Sequence, residues 1–177
     1  KSLKADMIIL DPIYSFSMNA KQKAISGLDA FTQSIESFWS KQSTPESRKY
    51  SIEALHLIWN NLHDSVLNNN YESHKQIVLA SNLAGKAINI AKTTAPHAIS
   101  YYFTSHHNIM HGHAVCLFFS KIYKYNFSMV NKNDNFHSEI FTTLNSVMGI
   151  SSISSVHLID DFIKKLNIEL DLKKIGI

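Results

Sequence analysis

The sequence predicts an all-α, multi-helix domain led by a short extended segment, and three observations carry that prediction. Apolar residues recur at three- and four-residue spacing in one stretch after another from Lys21 onward. Helix breakers stand between those stretches, at Ser43-Thr44-Pro45, Asn68-Asn69-Asn70 and Pro96. Only Ala5 to Leu10 (ADMIIL), stopped by Asp11-Pro12, reads as a strand or extended segment, and no second strand follows to pair with it. The 177 residues suffice for one domain with a core of its own, and a hydrophobic share of 45% excludes a disordered tail.

The elements follow in order. The first helix is expected from Lys21 to Ser40, with Ile25, Leu28, Phe31, Ile35, Phe38 and Trp39 on one face. Pro45 suits the first position of the second helix, and Ser43 with Glu46 is expected to form its capping box. Ile52, Leu55, Ile58, Leu62 and Val66 give that helix a clean stripe, which Asn68 ends. The third helix is expected over Ser73 to Ala91. Its LASNLAGKAINIA is rich in small residues that admit a neighbouring backbone, which predicts a central helix. A short helix starts at Pro96, and Ser105 to Gly112 lacks a stripe and is expected to be a loop. Three more helices are expected over His111 to Tyr125, Phe136 to Met148 and Ser154 to Leu166.

Composition narrows the function. The net charge is +3, with scattered lysines and no basic stripe interleaved with aromatics, so nucleic-acid binding is not expected. No apolar run approaches the ~20 residues that span a bilayer, and the start carries no signal-peptide pattern. A single cysteine, Cys116, excludes an internal disulfide and fits a cytoplasmic setting. The five glycines form neither a GxGxxG nor a Walker pattern, so nothing in the chain cradles a pyrophosphate. Ten histidines are present, five of them between His97 and His113.

That density bears on GLDAFTQSIESFW, Gly27 to Trp39. Asp29 and Gln33 lie one turn apart beside the apolar face, with Glu36 near them, and a carboxylate there needs a partner. His97 and His111 are fourteen residues apart. On one unbroken helix that is a rise of about 21 Å, too far to share an ion. With a loop between them, each sits near a helix start and the two can face one point. Asp29, Gln33, His97 and His111 from three segments then form a site for a divalent cation with an open coordination position. The ordinary alternatives stay open: an Asp/Gln pair one turn apart also makes a surface hydrogen bond, and a histidine after proline also merely starts a helix.

Asp11-Pro12 followed by GLDAFTQSIE, and HAISYYFTSHHNIMHG from His97, carry a family resemblance. The first pair resembles the DP and G-x-D-A-x-x-H-x-x-E helix of the iron-containing (group III) alcohol dehydrogenases, and the second resembles their H-A-x-x-H…P-H-G segment. Nearly the whole chain resembles the helical, metal-binding half of that dehydroquinate synthase-like fold. The resemblance implies Asp29, His97 and His111 as ligands to Fe²⁺ or Zn²⁺, with Gln33 where the family has a histidine. It places Tyr101 where a second histidine often stands near the nicotinamide, and Met110 where the family has proline. It implies reduction of a small aldehyde by NAD(P)H, held mainly by a nucleotide-binding domain that precedes residues 1–177 in a full member, with further helices after them. A fragment of that extent is expected to bind no NAD and to be inactive alone. Tyr101, His107 or water would deliver the proton, and a homodimer is the expected assembly. ESFWSKQSTPES and KTTAPHAISYYFT resemble members that reduce phosphonoacetaldehyde, which would give Lys92, Thr93 and Thr94 to the phosphonate. The competing readings are a metal-dependent lyase of the dehydroquinate synthase type and a non-catalytic helical interaction module.

Overall fold

In the computed structural model, which describes residues 5–130 and 135–177, eight helices and one 3₁₀ turn follow one another. Ala5 to Leu10 are irregular and exposed, with no strand. A single turn, α1 (Ile13–Phe16), follows, its first N–H accepted by Asp11 Oδ1.

The long helix α2 (Ala20–Trp39) starts where the Asn19 side chain accepts from the Gln22 N–H. The next, α3 (Pro45–Leu67), is capped by Thr44 and Ser47 in a reciprocal box. The expected box of Ser43 and Glu46 does not form. Pro45 fixes the first helical position, so the residue before it is the cap, and Glu46 accepts the Tyr50 hydroxyl instead. The Asn70 side chain accepts from Ser73 N–H, which starts α4 (Tyr71–Ala91) two residues earlier than its stripe suggests. The fifth helix, α5 (Ala95–His107), runs past the expected loop boundary at Ser105. Tyr102 stacks on His106 and Phe103 on His107, so aromatic pairs one turn apart extend a helix that has no apolar stripe there. Only three residues then separate it from α6 (His111–Ser128), and Asn108 turns the chain with a left-handed φ of 53°. The chain continues through α7 (Asn135–Met148), the 3₁₀ turn Ile153–Val156 and α8 (His157–Lys164), so the last expected helix is split in two.

Helix α2 is the central one, packed against α3, α4, α6 and α7. The small residues of α4 do serve close packing, with Ala80, Ala84, Ala87 and Ala91 fully buried, but on the flank of the bundle against α2 and α3. The core closes around Phe31, whose ring meets those of Trp59, Phe119 and Phe162. Two glycines admit close approach. A Cβ on Gly27 would sit 2.3 Å from Leu62 Cδ1, and one on Gly112 would sit 2.3 Å from the Ile25 carbonyl oxygen. The second of these brings the start of α6 against the middle of α2. No helix among the described residues is long and apolar enough to cross a membrane.

Candidate metal centre

Three helices bring three donors together. Asp29 comes from the middle of α2, His97 from the first turn of α5, and His111 opens α6. Their ligand atoms all lie within 4.8 Å of one another. Asp29 Oδ1 stands 3.3 Å from His97 Nε2 and 3.7 Å from His111 Nε2.

The hydrogen bonds behind the rings decide what those atoms are. Glu36, wholly buried two turns along the same face of α2 from Asp29, accepts from His97 Nδ1 and from the backbone N–H and hydroxyl of Thr94. Behind His111, the Ser100 hydroxyl donates to the His97 carbonyl at 2.7 Å, so its oxygen is free to accept from His111 Nδ1 at 3.4 Å. Both rings thus carry their N–H on Nδ1 and aim the Nε2 lone pair at Asp29 Oδ1. Among the described residues four buried side-chain polar atoms have no hydrogen-bond partner, and Asp29 Oδ1 and His97 Nε2 are two of them. Three acceptors that face one another are repulsive unless a cation sits among them, so the donor set fits a divalent ion.

Without an ion, a proton is the cation at hand. Burial by itself pushes the His97 pKa down, but Asp29 and Glu36 outweigh it and hold it up at about 9. Cys116, one turn along α6, is no rival ligand: burial, reinforced by the Asp29 charge, pushes its thiol far up.

The remaining sequence-predicted residues fall around this point. Gln33 Nε2 donates to Asp29 Oδ2 at 2.9 Å. Tyr101, 59% exposed, stacks on the His111 ring with centroids 5.6 Å apart. His107 is exposed at the end of α5, against Tyr102 and Phe103. Lys92 ends α4 with its ammonium near the Asn89 carbonyl. The Thr94 hydroxyl is committed at both ends, donating to Glu36 and accepting from Trp39 Nε1. Glu36, Ser100 and Gly112 were not assigned roles by sequence reasoning. The signal for Glu36 was available in its place seven residues after Asp29, on the same helical face.

A family model described as the Fe-containing alcohol dehydrogenase family, C-terminal, matches residues 23–177. The chain belongs to that family. Among curated relatives it is 31% identical to 1,3-propanediol dehydrogenase of Citrobacter freundii over 119 residues, 67% of this chain and 31% of that protein. It is 32% identical to phosphonoacetaldehyde reductase of Streptomyces viridochromogenes over 120 residues, 67% of this chain and 30% of that protein. Its fold matches the crystal structure of sulfoacetaldehyde reductase from Bifidobacterium kashiwanohense in complex with NAD+ with a TM-score of 0.82 and 27% identity, over 94% of this chain and 43% of that one. The match thus spans about a third of the length of these two curated relatives.

Proposed function

We propose that this chain is the metal-holding half of an NAD(P)-dependent alcohol dehydrogenase that interconverts a small aldehyde and its alcohol. The observation that carries this reading is the convergence of Asp29 Oδ1, His97 Nε2 and His111 Nε2, two of them buried without a hydrogen-bond partner. When bound among them, Fe²⁺ or Zn²⁺ supplies Lewis acidity at a carbonyl oxygen, and NAD(P)H supplies the hydride. The side chains do the rest. Asp29 brings the negative charge that holds a dication in a half-buried place. Glu36 and Ser100 fix both imidazoles in the tautomer that binds. Tyr101, exposed and stacked on His111, passes a proton to the product oxygen, with His107 or water as the alternative.

Within small aldehydes, an acidic head group such as that of phosphonoacetaldehyde is the best fit. The similarity to phosphonoacetaldehyde reductase supports this, as does the Lys92-Thr93 pair just ahead of His97. With the Thr94 hydroxyl already committed, Lys92 and Thr93 receive the anion.

Metal analysis tests the centre: one ion per chain, lost in Asp29→Ala and His111→Ala, is expected, and a metal-free chain after anaerobic loading would overturn it. The full-length gene product assayed with NADH and NADPH against neutral and anionic aldehydes tests the substrate. A Lys92→Ala variant that loses no preference for the anionic aldehyde would overturn the finer assignment.

A further inference from the structure

The amide of Gln33 is tied to Asp29 Oδ2 at 2.9 Å, and Oδ1 is the oxygen that approaches both imidazoles. Only an amide N–H makes a contact with a carboxylate attractive, because the amide oxygen there would repel it. The nitrogen of Gln33 is therefore committed to the carboxylate, through a hydrogen bond strengthened by the full charge on its acceptor. Presenting the amide oxygen to an ion would exchange that bond for a neutral donor, the weakest in the cluster.

We infer, on the reading that an ion binds here, that Gln33 is a positioning residue and not a ligand. It holds Oδ2 and so leaves Oδ1 as the single carboxylate oxygen offered. The centre then has three protein donors, one carboxylate oxygen and two imidazole nitrogens. That is the ligand number of a catalytic zinc centre, with one position left for water or substrate.

Cobalt(II), titrated into the chain and followed by its visible spectrum, tests this. Gln33→Ala is expected to keep the shape of the spectrum, because the donors are unchanged, and to weaken binding about 10- to 100-fold. Gln33→Glu loses the N–H and sets a second negative charge against Oδ2, so it too is expected to bind more weakly. Thermal melting of the metal-free variants checks folding, and Gln33→Leu, of similar volume, replaces the alanine variant should that one not fold. Bands that shift in position and intensity in the Gln33→Ala or Gln33→Leu chain, as loss of a ligand requires, would overturn the assignment. So would a Gln33→Glu chain that takes cobalt more tightly. Failure of the unaltered chain to bind cobalt at all would overturn the metal-centre reading itself, whereas the effects of the Gln33 variants bear only on this inference.

Discussion

Glu36 has no exposed surface, yet it carries a carboxylate whose acceptor capacity is taken up by Thr94 and His97. Removing it leaves the His97 and Thr94 donors facing nothing, so Glu36→Ala is expected to cost about 3–5 kcal/mol in a denaturant melt. The nearly isosteric Glu36→Gln retains part of the network and is expected to fold, with metal affinity down about 10- to 100-fold by competitive chelator titration. The same residues set the pH response of the metal-free chain. The folded pKa of His97, about 9, lies above its ordinary 6.5, so the folded state holds the proton more tightly. The stability this gives is complete below about pH 6.5 and is lost as the pH rises through about 9. Thermal midpoints of the metal-free chain are therefore expected to fall between pH 7 and 10, and His97→Gln is expected to flatten that slope. At this scale the sequence was legible where motifs spoke. Asp29, His97 and His111 can be named from spacing and resemblance, and the one-turn spacing of Asp29 and Gln33 allows their hydrogen bond. The face of Glu36 is legible from its spacing to Asp29, but its partners are not, because they lie 58 and 61 residues away in the chain.

Among the elements, the contact between α6 and α2 positions the centre. Gly112 follows His111 directly, and a Cβ there would meet the Ile25 carbonyl at 2.3 Å and Asp29 Cβ at 3.1 Å. Backbone cannot rotate away as a side-chain tip can, so Gly112→Ala must push α6 outward and carry His111 from Asp29. The expected result is a loss of metal affinity larger than the loss of thermal stability, measured by isothermal titration beside a melt. Gly27→Ala meets only the end of the Leu62 side chain and is expected to do the reverse, lowering stability with little change in metal affinity. Helix existence was legible from the stripes, because burying one face is what makes these helices form. Ends were less so. Caps depend on one side chain each, and Thr44 rather than Ser43 won because Pro45 comes next.

For the molecule as a whole, Phe31 is the point where α2, α3, α6 and α8 meet through Trp59, Phe119 and Phe162. Phe31→Ala is expected to cost about 3–5 kcal/mol, seen as an earlier urea midpoint. The all-helical class was readable from Lys21 onward, but not which helix the rest surround. Small residues in α4 announce that something comes close; they do not announce enclosure, which α2 earns by burying residues on nearly every side. The three-residue passage from His107 to His111, turned by Asn108, has one more consequence. Loops are ordinarily where sequences gain or lose residues freely. Here the passage is a ruler between two donors: three residues leave little slack, so one added or removed would shift the start of α6 and carry His111 away from Asp29. Relatives that keep the chemistry should therefore keep this count unchanged, however far their other connections drift in size.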